Sequence, residues 1–230
     1  MLERLLWGGV ALCDREAPLV SETLQERTVT ERLAGANSTL LLASSFDEAT
    51  DECCTQFLHP SAPKDSNVLW VSYTKSPDQQ LRRWQAHAAE RPANMGMVSV
   101  EDSTRSVAAD AGGTSDLMGP NRPVETVSSP NDLTGLGIRI TEFLTDWEEN
   151  DNQTVVCFDS LTALLQYVEL ETAYEFLHIL AGRMATVDAF AHFHMDPEAH
   201  DEQTVESITT LMDAVVEIED GERRVRSRKD

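Results

Sequence analysis

The chain has 230 residues, 41% of them hydrophobic, enough to bury the core of one α/β domain and too many for a globally disordered protein. Forty acidic residues against eighteen basic leave a net charge of −22, and its lysines are Lys64, Lys75 and Lys229. A surface this acidic lacks the basic footprint that generic contact with nucleic acid phosphates requires, so no nucleic acid partner is expected.

Residues 1–20 carry no clear pattern and read as an N-terminal arm. The opening "MLERLLWGGVALCDR" has only a short apolar stretch before Cys13, with Glu3 ahead of it and Leu12 where a lipoprotein signal wants a small residue. Export is not expected from it. The run 21–33, "SETLQERTVTERL", opens on a capping serine and spaces Leu24, Val29 and Leu33 as on a helix ended by Gly35. The strand "TLLLA" follows, and after a short loop "EATDECCTQFL" predicts a helix with Cys53, Cys54, Phe57 and Leu58 as its apolar stripe.

"NVLWVSY" (67–73) reads as a second buried strand, and "SPDQQLRRWQAHAAE" as a helix with proline in its first turn. A third strand is "MGMVSVE" (95–101). Residues 102–123, with Gly112–Gly113 and two prolines, read as a surface loop rather than a domain boundary. After the short strand "VETV", the segment "SPNDLTGLGIRITEFLTDWEE" predicts a helix that turns Leu133, Leu136, Ile140, Phe143 and Leu144 inward. "TVVCFDS" is an apolar strand stopping at Asp159, and "LTALLQYVELETAYEFLHILAGRMATV" reads as one long helix. The strand "AFAHFHM", the helix "DEQTVESITTLM" and a hairpin around Asp220–Gly221 complete the domain.

Apolar strands alternating with amphipathic helices predict three layers: a mostly parallel central sheet, helices on both faces and a C-terminal β-hairpin. In such sheets ligands sit beyond the carboxyl ends of the strands, so the loops after Ala43, Tyr73, Asp159 and Met195 should converge. No apolar run approaches the eighteen or so residues that span a bilayer, so no membrane insertion is expected. Cys13, Cys53, Cys54 and Cys157 are spaced as neither a disulfide framework nor a zinc knuckle, which points to a reducing cytoplasm. The acids are scattered along the chain, and arginine replaces lysine. A mimic of nucleic acid would gather its charge on one element, so this distribution fits a halophile's cytosol better. There the Debye length shrinks to about 3 Å and self-repulsion becomes tolerable; in dilute buffer it opposes the compact state.

Residues 43–50, "ASSFDEAT", have the length of a P-loop, G-x-x-x-x-G-K-[ST], between an apolar strand and a helix. Ala43 stands for the first glycine, Glu48 for the second and Ala49 for the lysine; Thr50 keeps the hydroxyl. "VVCFDS" matches the Walker B pattern, although an aspartate at a strand end also serves as a plain helix cap. Together with "FDSLTALL" and "LMDAVVEIEDG", the order of these pieces resembles the RecA superfamily, and within it the KaiC-like branch, over about residues 22–228. It is also similar to haloarchaeal RecA-like proteins that lack an intact P-loop.

The resemblance implies a RecA-like ATPase fold in which Thr50 and Asp159 are the hydroxyl and the carboxylate that hold magnesium. It also implies a catalytic glutamate after the second strand, where this chain has Thr74–Lys75 and no acid before Asp78. At an effective dielectric of about 20, a Glu48 carboxylate roughly 4 Å from a phosphate charge repels it by about 4 kcal/mol, and the missing lysine removes a similar attraction. Several powers of ten in affinity go with them. The reading is therefore a pseudo-ATPase over 21–230 with no catalytic residues, retaining ATP or Mg2+ weakly at most. It acts as a regulator, adaptor or scaffold through protein contacts, among them contacts with a second copy. A nucleotide-driven enzyme with an atypical P-loop is the alternative.

A third reading rests on "AHFHMDPEAHDE", whose H-x-H-x-D invites a metal-dependent hydrolase. The metallo-β-lactamase pattern needs histidine after the aspartate, where Pro197 stands. A central strand covered by helices also leaves little room for both imidazoles as ligands, so His192 reads as a packed histidine and Asp196 as a helix cap. His194 and Asp196 remain candidate metal ligands beside Thr50 and Asp159 in one vestigial polar pocket. The tail "ERRVRSRKD" reads as an outer hairpin strand whose arginines pair with surface acids, or dock on an acidic neighbour.

Overall fold

The computed structural model describes residues 33, 35–44, 48–57, 63–87, 91–101, 124–219 and 221–227. The expected arm 1–20, almost all of the expected helix over 21–33 and the expected loop 102–123 lie outside the described residues, as do residues 45–47 of the P-loop-like segment.

The central apolar runs become strands buried on both faces, while the two edge strands of the sheet are partly exposed. β1 (Ser38–Leu42), β2 (Ser66–Ser72), β3 (Asn94–Val100), β4 (Val124–Val127), β5 (Gln153–Asp159), β6 (Phe190–Met195), β7 (Ala214–Glu219) and β8 (Glu222–Ser227) form one sheet in the order β4-β3-β2-β5-β6-β1-β7-β8. Neighbours pair in parallel except β7 and β8, which close the expected hairpin antiparallel. Gly221 takes φ +78° in that turn, a left-handed value that a residue with a Cβ rarely adopts.

Among the described residues six helices cover the sheet: α1 (Glu48–Phe57), α2 (Pro77–His87), α3 (Leu133–Glu148), α4 (Leu161–Leu164), α5 (Leu170–Thr186) and α6 (Glu202–Thr209). Period-2 alternation divides the strands' side chains between two cores. Leu40, Leu69, Val156 and Phe193 face Leu136 and Ile140 of α3 and Leu177 of α5. On the other face, Val68, Trp70 and Cys157 meet Cys54 of α1 and Leu81 and Trp84 of α2, while Leu41 and Val216 meet Cys53 and Phe57. The three layers predicted from the alternation are present.

Two expectations are corrected. The segment after Asp159 is not one helix but α4 and α5, separated at 165–169. At about 100° per residue, a straight helix would set the buried stripe Ala173, Leu177, Leu180 and Met184 about 160° away from Leu161 and Leu164. The break lets both stripes face the same core. Asp196 does not cap α6 either. Its carboxylate accepts from Glu198 N–H (3.1 Å) to cap a 3-10 turn, Pro197–Ala199, and Asp201 caps α6 through Thr204 N–H (2.8 Å).

The arginines of β8 pair as the tail suggested: Arg226 with Glu217, Arg224 with Glu219 and Glu222, and Arg223 with Glu52 of α1. Exposed pairs of this kind add little stability each.

One close approach gives a direct test of the packing. A Cβ on Gly96 of β3 would meet the Phe143 ring of α3 at 2.4 Å, and that ring is itself held against Trp147 at 5.4 Å between centroids. Gly96→Ala should cost about 1–3 kcal/mol in denaturant unfolding, and wild-type stability would show that the α3–sheet contact yields freely.

Candidate functional site

The loops after β1, β2, β5 and β6 converge, as the parallel order requires. Ala43 N–H donates to Met195 C=O (3.1 Å) and Tyr73 N–H to Asp159 C=O (2.8 Å), which draws the four strand ends together. Between them lies a cavity of about 290 Å3 lined by Thr50, Asp51, Thr74, Lys75, Gln79, Arg83, Asp159, Ser160, His194 and Asp196, among others. All four residues singled out from the sequence (Thr50, Asp159, His194 and Asp196) line it. Its volume is at the low end for small-molecule sites, which run from about 300 Å3 upward.

Local sequence places each group. Ser72 Oγ accepts from the N–H groups of Thr74 (3.3 Å) and Lys75 (2.9 Å), a turn that directs Lys75 back across the strand ends. Ser76 and Gln79 cap α2 reciprocally, bonding each other's N–H at 3.4 and 3.0 Å. Ser160 Oγ caps α4 through Ala163 N–H (3.2 Å). Thr50 Oγ1 reaches back to Ser44 C=O at 3.5 Å. The side chains of Glu48 and Ala49, where the P-loop glycine and lysine would stand, are outside the described residues.

The centre of the cavity is an ion pair. Lys75 Nζ donates to Asp159 Oδ2 at 2.5 Å, with the Asp159 side chain only 9% exposed and that of Lys75 32%. Burial works to raise the pKa of Asp159, but His194 and the Lys75 ammonium outweigh it and hold the carboxyl below its ordinary value. The second cation, Arg83, is paired with Asp51, while its Nε and Nη1 have no hydrogen-bond partner among the described residues.

Beneath the cavity floor lies a cluster that the sequence reading missed. Cys157 of β5 stands in register with His192 of β6, and His194 lies two residues on, so all three project to the same face. Cys54 of α1 packs down onto them. Cys54 Sγ lies 3.5 Å from Cys157 Sγ and 3.2 Å from His192 Nε2, and Cys157 Sγ lies 3.5 Å from His194 Nε2. All four residues are buried, and one ligand atom from each falls within 4.8 Å of the others. That group includes His194 but not Asp196.

The electrostatics within the cluster are uneven. A hydrogen bond with Cys157 lowers the pKa of Cys54 against the effect of burial, and both imidazoles add to the lowering. Burial and the neighbouring Cys54 raise Cys157, so it keeps its proton while Cys54 ionises more readily. Burial lowers His192 and leaves it a neutral imidazole. Cys53, one residue away, packs instead with Leu41 and Val216 on the same face, where burial pushes its pKa up to about 12.

A larger, open cleft of about 1,210 Å3 lies beyond Ser44, between α6 and the β7–β8 hairpin. Five glutamates line it (Glu198, Glu202, Glu206, Glu217 and Glu219), and they repel phosphate rather than hold it.

Residues 37–218 match the profile of a family of unknown function, DUF7504. The chain belongs to this family. The matched span runs from the residue before β1 into β7, so the strand ends, the Lys75–Asp159 pair and the four-residue cluster all lie in the DUF7504 portion of the chain. No curated protein matches the sequence.

Removing Lys75 leaves a buried carboxylate without its counter-ion. Exposed pairs contribute about 0–1 kcal/mol and fully buried ones cost about 3–5 kcal/mol to break; this half-open pair should fall between. Lys75→Met is expected to lose about 2 kcal/mol, and adding Asp159→Asn should recover most of it. A double-mutant cycle showing no coupling would mean that the pair does not hold the strand ends.

Proposed function

We propose that this protein is a non-catalytic, RecA/KaiC-like adaptor of a halophile's cytoplasm that works through protein contacts. The Lys75–Asp159 ion pair carries the reading. The carboxylate that the sequence resemblance assigns to magnesium already has a cation at 2.5 Å, supplied by the segment where a catalytic glutamate would be expected. A magnesium ion would have to displace an ammonium held by charge and hydrogen bond in a largely desolvated place. The glutamate-lined cleft next to the cavity adds to the cost of bringing a triphosphate there.

The contact surface consistent with this role lies on the opposite face of the sheet. A groove of about 700 Å3 runs between α3 and α5, with Ile138 53% exposed and Ile179 72% exposed along it and Phe176 on its floor. Exposed branched side chains on two facing helices are the kind of patch that partners cover. Glu142, Asp146 and Glu175 line the same groove against a single cation, Arg183. By charge complementarity the occupant is an amphipathic helix with an apolar ridge flanked by basic residues.

Two measurements in molar KCl test this. Mg-ATP should produce neither a thermal shift nor phosphate release, and a shift that disappears in Asp159→Asn would restore the nucleotide-driven alternative. A model peptide with a leucine ridge flanked by arginines should bind the wild type. It should not bind the Ile138→Asp/Ile179→Asp variant, whose unfolding temperature should be unchanged because both positions are exposed. Equal binding to both proteins, or self-association that the variant abolishes, would remove this occupant.

A further inference from the structure

The buried cluster has no place in an adaptor's exposed surfaces and is independent of whether a nucleotide binds. We propose that Cys54, Cys157, His192 and His194 form a tetrahedral site for Zn2+, which fastens α1 to the central strands β5 and β6.

Geometry carries the assignment. A zinc ion with Zn–S about 2.3 Å and Zn–N about 2.0–2.1 Å places its four ligand atoms about 3.3–3.8 Å apart. The contacts here are 3.5 Å between the sulfurs, 3.2 Å from Cys54 to His192 and 3.5 Å from Cys157 to His194. Four donors of the zinc type, from three separate elements, therefore already surround one point. A disulfide between Cys54 and Cys157 would need their sulfurs at about 2.05 Å, far closer than they stand.

Charge and hydrogen bonding agree with the geometry. Zn2+ takes the place of the two thiol protons, which are released to solvent, and two thiolates balance its charge, so the core gains no net charge. Without a metal, two thiols and two imidazoles must satisfy one another, and His192 Nδ1 is left with no partner among the described residues. Thr39 of β1 stands in register beside His192, and its Oγ1 is likewise unpartnered. A metal on Nε2 fixes the proton on Nδ1, leaving that nitrogen a donor on the side of the imidazole away from the ion. His194 also lines the cavity above, which gives an ion a path to the site.

The same arrangement explains what the metal does. α1 begins at Glu48, and Cys54 is its link to β5 and β6. A zinc ion here holds α1 against the two central strands without any phosphate to organise that contact.

The test uses the full chain in molar KCl. Protein purified without chelator should contain one zinc per chain, and chelation should lower its unfolding temperature, which added Zn2+ restores. Cobalt in its place should give intense visible absorption with a thiolate-to-cobalt charge-transfer band. That band should weaken in Cys54→Ser and in Cys157→Ser but stay unchanged in Cys53→Ser. If a ligand variant fails to fold, the chelation and cobalt measurements on the wild type decide alone. A colourless cobalt mixture, a cobalt spectrum indifferent to Cys54→Ser, or a Cys54–Cys157 disulfide in protein that takes up no metal overturns the assignment.

Discussion

The central parallel strands are covered on both faces and give water almost no access to the polar side chains buried in them, and that constraint shapes everything at the centre of this protein. Asp159, Cys157, His192 and His194 all sit on the two central strands β5 and β6 and are all buried. Each must find its partner within the protein, because an unpaired buried polar group costs about 1–3 kcal/mol and an unpaired charge more. The partners come from the elements that cover the strands: Lys75 from the turn leading into α2, and Cys54 from α1. One side of the sheet therefore carries two linked polar assemblies, an ion pair at the strand ends and a sulfur–imidazole cluster just beneath it, with His194 belonging to both. The opposite side is almost wholly apolar and supports only packing.

This division separates chemistry from contact. The face with α1 and α2 holds the buried sulfur–imidazole cluster and two ion pairs, Lys75 with Asp159 and Arg83 with Asp51. The face with α3 and α5 has an apolar core and leaves Ile138 and Ile179 exposed between surface carboxylates. The strand-end cavity is thus self-neutralised, and an exposed apolar groove lies behind it on the other side of the sheet. Surface charge is then free to serve solvation, and the arginines of β8 show it: Arg223, Arg224 and Arg226 are each answered by a nearby acid.

Much of the fold was legible because hydrophobic periodicity is a local property. β2 reads as a continuous apolar run and is buried along its whole length, and α3 shows its inner face through Leu136, Ile140, Phe143 and Leu144. The break between α4 and α5 was not legible, since every residue from Leu161 to Val187 tolerates a helix. Only the need to turn two stripes toward one core decides it. Among the candidate site residues, Thr50, Asp159, His194 and Asp196 could be found from motif order, and they do meet around one cavity. Lys75 appeared in the sequence only as an acid that was missing, because its role depends on a turn that folds it back over Asp159.

The amino-acid sequence by itself determined the alternation of strands and helices, the burial of the central sheet, the acidic surface and the alanine at position 49. These follow from residue type and spacing along the chain. Only the tertiary structure decided that Cys54 and Cys157, 103 positions apart, stand 3.5 Å from one another with two imidazoles beside them. The reason is strand order: β1, with α1 directly after it in the chain, lies beside β6 although it is remote in sequence, and only register brings Cys157 opposite His192 and sets Thr39 beside it.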